Sequence, residues 1–225
     1  MKTTAIIVAA GSGSRFKSDT PKQFLEIHGK SVIVHTLERF QSAPSVDSIV
    51  LVLAKDQAAK FARDTVSKLS KVVSGGVTRA ESVLNGLDAV DADTEIVAVH
   101  DGARPLVTVD EIERTAAKAK ETGAACLVAP VTDTIKTIRG DEISGTLDRE
   151  KVRRALTPQV FKIELLRKAF ENADLFESVT DECYLVEKLG HPIVFVEGSS
   201  HNIKITHPED LILAETILRN SSCNE

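Results

Sequence analysis

Glycines and cations follow the first apolar segment of the chain in a spacing suited to phosphate chemistry. Residues 5–10 are apolar, Gly11 and Gly13 come directly after them, and Arg15 and Lys22 follow. Glycines let backbone N–H groups approach a phosphate, and the two cations can neutralise its charge. The segment therefore indicates a phosphate or nucleotide site. The alternative is an ordinary strand and loop with two surface cations.

Two common nucleotide-binding motifs do not fit this segment. The dinucleotide fingerprint G-x-G-x-x-G needs a third small residue for close packing of helix on strand, but Phe16 stands at that position. The phosphate-cradling pattern G-x-x-x-x-G-K-[ST] does not occur in the chain. An oxidoreductase is therefore disfavoured, whereas another kind of nucleotide site is not.

A second glycine pair precedes a predicted helix. Gly75 and Gly76 lie in SGGVTRAESV and again let backbone approach a ligand. Thr78 and Glu81 have the spacing of a capping box, which marks a helix start. Ser82 falls in the first turns of that helix. The segment predicts a second wall for the same ligand.

One carboxylate and further polar groups fall at other predicted strand ends. Asp101 follows the apolar run 95–100, the usual place for an Mg²⁺ ligand in phosphoryl chemistry, with a turn or cap residue as the alternative. Thr134 and Lys136 follow the next apolar run, and Lys204 lies in NIKIT, which we predict to be the final strand. The histidines form no nucleophile–base pair of hydrolase type. This set suits phosphoryl or nucleotidyl transfer, which depends mainly on positioning and charge stabilisation.

The elements that must position these residues alternate along the chain. Apolar runs predict strands at 4–9, 47–54, 70–74, 95–100, 124–131 and 192–197. Helical patterns lie at 31–42, 56–68, 78–90, 109–122, 162–174, 180–189 and 208–219. We predict an α/β fold of Rossmann-like type, with a mostly parallel sheet, helices on both faces and a single domain over 1–225. Ligands of such sheets bind beyond the carboxyl ends of the strands.

One segment interrupts the alternation. Residues 133–149 alternate with period two around the turn Gly140-Asp141, which predicts a β-hairpin. A two-stranded ribbon is marginal by itself and needs a surface to pack on. We predict an arm that reaches a second copy of the protein.

Composition excludes several classes of partner. The 225 residues carry a net charge of −5, which argues against binding to nucleic acid or anionic membranes. With 8 Phe, 1 Tyr and no Trp there is no base-stacking platform, and no apolar run approaches the ~18 residues of a membrane helix. Cys126, Cys183 and Cys223 are an odd set without metal-ligand spacing. Reduced thiols and a cytoplasmic location are expected.

Seven sequence blocks, in this order along the chain, resemble one enzyme family. They read AAGSGSRF…PKQF, SGGVTRAESVLNGL, VHDGARPLV, APVTDTIK, LDR…RALTPQVF, TDECYLVE and NIKITHPEDL. The family is 2-C-methyl-D-erythritol 4-phosphate cytidylyltransferase, of the non-mevalonate route to isoprenoid precursors. Ribitol-5-phosphate cytidylyltransferase shares the PKQF and TPQ blocks and is the nearest alternative. The resemblance covers nearly the whole chain and implies a nucleotidyltransferase fold.

The resemblance implies a reaction in which CTP and a polyol phosphate give a CDP-polyol and pyrophosphate, with Mg²⁺. Arg15 and Lys22 would stabilise the transition state at the α-phosphate, and Asp101 would bind the metal. The cytidine pocket would be lined by Ala9, Ala10, Gly11, Gly75, Gly76 and Ser82.

The resemblance also implies that the substrate site is shared in a homodimer. Thr134 and Arg149, at the two ends of the arm, would hold the substrate phosphate of the neighbouring subunit's site, and Lys204 would position that substrate. Gly102 departs from the family, which usually has Ala there. A module that binds a nucleotide without turning it over is a further alternative, against which the pair Arg15 and Lys22 argues.

Overall fold

A seven-stranded sheet forms the centre of the protein. The computed structural model describes residues 1–11, 16, 20–62, 64–173 and 179–222. The strands are β1 (Thr3–Ala9), β2 (Glu26–Ile27), β3 (Lys30–Ser31), β4 (Ser48–Leu53), β5 (Leu69–Ser74), β6 (Ile96–Asp101), β7 (Ala124–Pro130), β8 (Lys136–Arg139), β9 (Glu142–Thr146), β10 (Arg153–Lys162) and β11 (Val194–Glu197). The helices are α1 (Val32–Ser42), α2 (Lys55–Ala58), α3 (Arg79–Ala89), α4 (Val109–Thr122), α5 (Ile163–Glu171), α6 (Glu182–Lys188) and α7 (Pro208–Ser222).

The sheet is parallel except at one strand, in the order β11-β7-β10-β6-β1-β4-β5. The neighbours β1 and β4, β1 and β6, β4 and β5, and β11 and β7 pair in parallel. Strand β10 runs antiparallel to both β6 and β7. The predicted α/β class with a mostly parallel sheet is confirmed, because six of the predicted strands are present in the sheet and run in the same direction.

Both faces of the sheet are covered by helices, as its continuously apolar strands require. On one face, Ile33, Leu37 and Phe40 of α1 and Ile112 of α4 pack on the strands. On the other, residues of α3, α5 and α6 form a second core cluster, for example Leu87. Strands buried on both sides leave only the sheet edges and strand ends for a ligand.

Two expectations for regular structure were wrong, and one strand was not predicted. The strand β10 was missed, because Arg153, Arg154 and a proline break its apolar pattern. The helix predicted at 56–68 ends at Ala58, and turns follow it. The segment NIKIT is not a strand: residues 202–206 form a loop, which carries Lys204 to the cavity described below.

Local sequence sets where the two long helices near the site begin. Thr78 caps α3 and Thr108 caps α4. Each threonine hydroxyl accepts a hydrogen bond from the backbone N–H of the glutamate three residues later, and the carboxylate of that glutamate accepts one from the backbone N–H of the threonine. The capping box predicted at Thr78 and Glu81 is thereby confirmed. Each cap satisfies donors that a helix start leaves without partners.

The hairpin predicted at 133–149 is present as β8 and β9, which form a two-stranded sheet of their own. Gly140 has φ +59, a conformation that favours glycine at such a turn. Ile138 and Ile143 face each other across the hairpin and are 73% and 68% exposed. The arm therefore presents an apolar pair that its own chain leaves largely uncovered.

Among the described helices, none is both long and apolar enough to cross a membrane.

Candidate active site

A cavity of about 290 Å³ opens at the carboxyl ends of β1 and β6, beside the start of α3. It brings together eight of the residues predicted from the sequence, namely Ala9, Ala10, Gly11, Lys22, Gly76, Ser82, Asp101 and Lys204. They come from five separate stretches of the chain. The cavity therefore lies at the carboxyl ends of the strands, where parallel sheets of this kind bind their ligands.

The wall formed by the glycine pair is held by backbone and hydroxyl hydrogen bonds. Gly75 N donates to Leu53 O at 2.8 Å, and Gly76 N donates to Ser82 Oγ at 3.1 Å. The Ser82 hydroxyl in turn donates to Thr78 O at 2.9 Å. A Cβ at Gly75 would clash with Ala10 Cβ and stand 2.7 Å from Ser82 Oγ. Glycine is therefore required here by close packing and not by an unusual φ.

Asp101 lies at the end of β6 with its carboxylate surrounded by cations. It is 6% exposed, and its oxygens lie 2.9 Å from Lys204 Nζ, 3.1 Å from Arg79 Nε and 3.5 Å from Arg104 Nε. Burial by itself would raise the pKa of Asp101, but Arg79, Lys204 and Arg104 outweigh it and hold that pKa well below its usual range. Asp101 is therefore ionised at any physiological pH.

Arg79 joins Asp101 to a second carboxylate, that of Glu182 at the start of α6. Arg79 Nη1 donates to Glu182 Oε1 at 2.6 Å, and Glu182 is fully buried. Burial raises the pKa of Glu182, and Arg79 opposes that rise. For Arg79 burial acts to lower the pKa, but the two carboxylates more than reverse this and raise it. The two carboxylates thus compensate the charge of a guanidinium whose side chain is 25% exposed.

His100 is buried beneath this cluster and is held neutral. Burial lowers the pKa of His100 to about 3. Its Nε2 lies 3.1 Å from Arg104 O, a carbonyl that can only accept, so Nε2 carries the proton. Its Nδ1 then accepts from Thr157 Oγ1 at 3.0 Å, and that hydroxyl accepts from Asp101 N at 3.2 Å. The histidine is a structural link between β6 and β10, and it does not face the cavity.

Lys22 forms the opposite wall together with the residue that follows it. A single 3-10 turn, Lys22–Phe24, begins after Pro21, whose φ is −57. Lys22 Nζ donates to Ile205 O at 2.6 Å, and Gln23 Nε2 donates to Ala9 O at 2.8 Å. These bonds tie the segment after the glycine loop to the end of β1 and to the loop that carries Lys204.

The donor set at the cavity fits a magnesium ion only in a limited way. Asp101 offers hard carboxylate oxygens, but no group of three or more His, Cys, Asp or Glu that could hold a metal occurs among the residues that the structure describes. Mg²⁺ commonly takes one or two carboxylates and completes its shell with phosphate oxygens and water. Asp101 therefore fits as one ligand of a metal that arrives with a phosphate. Such a metal would share or replace the present contacts of Asp101 with Lys204 and Arg79.

Comparison with known proteins identifies the family of the chain. A family model described as 2-C-methyl-D-erythritol 4-phosphate cytidylyltransferase matches residues 3–220. The chain belongs to this family. A cytidylyltransferase of that name from Clostridium novyi is 44% identical over an alignment of 227 positions, which covers 97% of each chain. A bifunctional enzyme from Desulfotalea psychrophila is also 44% identical over 227 residues, but the chain spans only 58% of its length.

Solved structures support the same family at the level of the fold. The crystal structure of a 4-diphosphocytidyl-2C-methyl-D-erythritol synthase from Anaerococcus prevotii has a TM-score of 0.85 at 30% identity, over 97% of this chain and 96% of that one. Membership of the cytidylyltransferase family confirms the resemblance of the seven sequence blocks. The roles of single residues stay predictions.

Five residues predicted for this cytidylyltransferase lie outside the cavity or outside the described chain. Gly75 is one of them, since it does not itself line the cavity. Gly13 and Arg15 are not among the described residues. Thr134 and Arg149 stand at the base of the arm, both exposed, with Arg149 Nη1 3.3 Å from Thr132 O. Neither lines the cavity of its own chain.

Sequence reasoning gave no role to three charged residues of the cluster, namely Arg79, Arg104 and Glu182. Each lies inside a block that carried the family resemblance, SGGVTRAESVLNGL, VHDGARPLV or TDECYLVE. The blocks were thus the available signal. The sequence pattern did not indicate a role for them. Charged residues at helix starts, such as Arg79 and Glu182, and in turns, such as Arg104, are usually solvated, and only the tertiary fold shows which distant residue each one contacts.

Proposed function

We infer that the protein transfers a cytidylyl group from CTP to 2-C-methyl-D-erythritol 4-phosphate and releases pyrophosphate. In this reaction a phosphate oxygen of the substrate attacks the α-phosphorus of CTP, and the bond from that phosphorus to the β-phosphate oxygen breaks. The observation that supports it most directly is the cavity itself. It combines a close-packed glycine wall with a cluster of cations and one ionised carboxylate.

The attacking phosphate is already an anion, so the reaction needs no general base. This agrees with the neutral, buried His100, which does not face the cavity. What the reaction does need is compensation of charge where two anions meet, which preorganised cations supply. Lys22 and Lys204 both line the cavity and are suited to this.

The glycine wall supports CTP as the nucleotide. Gly76 lines the cavity without a side chain, so a base could approach the backbone there. A pyrimidine suits this space better than a purine. The test is pyrophosphate release with CTP, ATP or GTP, each with 2-C-methyl-D-erythritol 4-phosphate or ribitol 5-phosphate. Turnover of ATP or GTP equal to that of CTP would refute the base assignment, and preference for ribitol 5-phosphate would refute the substrate.

We propose that Lys22 acts mainly on the transition state. Lys22→Ala should then lower kcat by roughly 10²–10³, the scale for one lost charge-stabilising donor, and change CTP affinity much less. Lys30→Ala is the matched control, since Lys30 is exposed and paired with Glu38 at 2.7 Å, away from the cavity. A Lys22 variant that keeps kcat but binds CTP tenfold more weakly or worse would assign Lys22 to binding instead. Arg15 is proposed to share this role on the family resemblance alone.

We propose Mg²⁺ as the metal and Asp101 as its ligand from the protein. When bound with the nucleotide, the ion would neutralise charge on the triphosphate. Asp101→Asn should abolish most of the metal-dependent activity while the protein still folds. Full activity of this variant at limiting Mg²⁺ would contradict the assignment.

We propose a homodimer in which the arm serves the partner's site. The exposed pair Ile138 and Ile143 supports a covering partner, and the exposed Thr134 and Arg149 at its base support a phosphate contact away from their own cavity. Arg149 would present its guanidinium to the substrate phosphate, a pairing that favours bidentate contact.

Mixing two inactive variants tests the shared site. Chains carrying Arg149→Ala and chains carrying Lys22→Ala are co-refolded in equal amounts. If the site is shared, each mixed dimer has one site with both lesions and one with neither, so activity should recover to roughly a quarter of wild type. Absence of recovery, with mixed dimers shown to form, would assign Arg149 to its own chain's site.

We propose a cytoplasmic location, which the free, buried thiols of Cys126 and Cys183 support. Cell fractionation with an antibody to the chain tests it. Recovery in an oxidising compartment would contradict it.

A further inference from the structure

A fully buried glutamate lies behind the cation cluster, and the function proposed above gives it no task. Glu182 is 0% exposed, and its Oε1 accepts from Arg79 Nη1 at 2.6 Å. Its Oε2 has no hydrogen-bond partner within the part of the chain that the structure describes. Burying a carboxylate with one oxygen unsatisfied is costly. If Glu182 only tethered α6 to the sheet, a well-packed apolar side chain would serve as well or better.

The geometry of Arg79 connects Glu182 to the cavity. The same planar guanidinium donates from Nη1 to Glu182 and from Nε to Asp101 Oδ1, the latter at 3.1 Å. A guanidinium bonded at two edges cannot rotate without breaking one bond. The position of Glu182 therefore fixes the direction from which Arg79 approaches Asp101.

The position of Glu182 is itself well fixed. Its backbone N–H and that of Cys183 both donate to Gln159 Oε1, at 3.1 and 3.0 Å, and Gln159 lies on β10 in the middle of the sheet. Asp181 caps the same helix start by accepting from Tyr184 N at 2.9 Å. A buried carboxylate mounted this rigidly is suited to hold another side chain in place.

The charge balance at Asp101 depends on the same glutamate. Three cations, Arg79, Arg104 and Lys204, lie within 3.5 Å of the Asp101 carboxylate. Glu182 brings a second negative charge to this group, which leaves a surplus of one positive charge. Without it the surplus would be two, and the whole charge of Arg79 would act on Asp101. A divalent cation would then be repelled more strongly, whereas a free triphosphate would not.

We propose that Glu182 is a positioning residue for Asp101: it holds Arg79 in one orientation and balances its charge, which keeps the Asp101 carboxylate available to a divalent cation. The inference rests on the proposed function in that it assumes a metal at Asp101. It assigns Glu182 no contact with substrate. Its effect reaches the cavity only through Arg79.

The experiment measures binding of Mn²⁺, by electron paramagnetic resonance, to the full chain with CTP present and without the polyol phosphate. Glu182→Gln should bind Mn²⁺ about 10–100-fold more weakly than wild type, the usual effect of losing an outer partner of a metal ligand. Its affinity for CTP in EDTA should be unchanged or higher. Glu182→Asp keeps the charge and should recover part of the Mn²⁺ affinity. Raising Mg²⁺ should restore part of the lost turnover of Glu182→Gln.

Glu111 provides a matched control. It is another buried glutamate in the first turn of a helix, 2% exposed, with oxygens that accept from Thr108 N at 2.8 Å and Ser199 N at 2.6 Å. Glu111→Gln should lower the melting temperature without changing Mn²⁺ affinity. If Glu182→Gln does not fold, Arg79→Lys replaces it, because lysine keeps the charge but cannot bond both carboxylates as Arg79 does. It should show the same loss of Mn²⁺ affinity.

The possible results separate this inference from the proposed function. Wild-type Mn²⁺ affinity in folded Glu182→Gln, or in folded Arg79→Lys, would overturn the inference and leave a merely structural role. Equal losses in Glu182→Gln and Glu111→Gln would overturn it as well, and so would a wild-type protein that binds no Mn²⁺. If the wild type fails to release pyrophosphate from CTP but the Mn²⁺ results hold, the reaction is wrong and the inference about Glu182 stands.

Discussion

Gly102, the residue after Asp101, tests how tightly the wall of the cavity is packed. A Cβ placed on Gly102 would lie 2.8 Å from Ala9 Cβ, 2.8 Å from Ile33 Cδ1 and 3.3 Å from Val8 O. The backbone cannot easily retreat, because Gly102 N donates to Val8 O at 2.8 Å and Thr36 Oγ1 donates to Gly102 O at 3.0 Å. The sequence resemblance implies that relatives usually carry alanine here. In this chain the alanine should be strained.

Two effects of opposite sign decide the magnitude for Gly102→Ala. Replacing glycine restricts the unfolded chain, which stabilises by about 0.4–1 kcal/mol where the native backbone tolerates it. Overpacking a close-packed site costs about 1–3 kcal/mol. The end of Ile33 can move, but Ala9 Cβ is fixed to a strand paired with β4, so overpacking should prevail. We expect a net loss of about 1–2 kcal/mol in the free energy of unfolding, given these two ranges.

The assay is urea unfolding followed by far-UV circular dichroism, because the chain has no tryptophan. Protein concentration is held constant, since association would otherwise shift the apparent stability. CTP affinity should fall in the same variant, because Ala9 lines the cavity. The double variant Ala9→Gly with Gly102→Ala removes the clashing methyl and should recover part of both losses. Gly102→Ala with wild-type stability and wild-type CTP affinity would refute the reasoning.

Three further predictions concern the scaffold. Thr108→Ala removes the cap of α4 and should lower the free energy of unfolding by about 1 kcal/mol in the same urea assay, whereas Thr108→Ser should not. Gly86→Ala should destabilise despite the better helix propensity of alanine, because its Cβ would stand 2.5 and 2.9 Å from buried methyl groups of β1 and β4; a higher melting temperature would contradict this. Cys126 and Cys183 should resist alkylation at pH 8 in the native protein and react on unfolding, because both are buried. The Cys126 thiol and burial also raise the pKa of Cys183, which keeps it in the less reactive thiol form. Mass spectrometry of the labelled peptides checks this prediction.

Sequence alone predicted the parts of the fold that local pattern controls. Most of the parallel strands were found because they are continuous apolar runs, and most helices because their period and caps agree. The helix expected at 56–68 fails because tertiary contacts override its pattern. Phe61 packs against Phe24 with ring centroids 6.5 Å apart, and Val66 turns into the core ahead of β5.

The candidate site was predictable to the extent that strand ends reveal it. Asp101, Gly76 and Lys22 were singled out by type and place, and the cavity brings them together. The link from Arg79 to Glu182 was not, because the two residues are 103 positions apart and only the packing of α6 on the sheet makes them neighbours. Residues that pair over a long sequence separation have no regular spacing, so a single sequence does not reveal such ion pairs.

The reversed direction of β10 determines where new structure can be added to this protein. Its first residue, Arg153, pairs with Pro130 at the carboxyl end of β7. Its last residue, Lys162, pairs with Ile96, the first residue of β6, at the amino-terminal end of the parallel strands. Both ends of the segment 131–152 therefore lie at the carboxyl-terminal end of the parallel strands, the end at which the cavity opens. If β10 were parallel, the connection from β7 would have to reach the amino-terminal end of the strands, about 20 Å away for six residues at about 3.3 Å each. The segment is thus a place where residues can be inserted without a connection that crosses the sheet. Its length and sequence can be changed, by evolution or by design, while the order and direction of the strands stay the same.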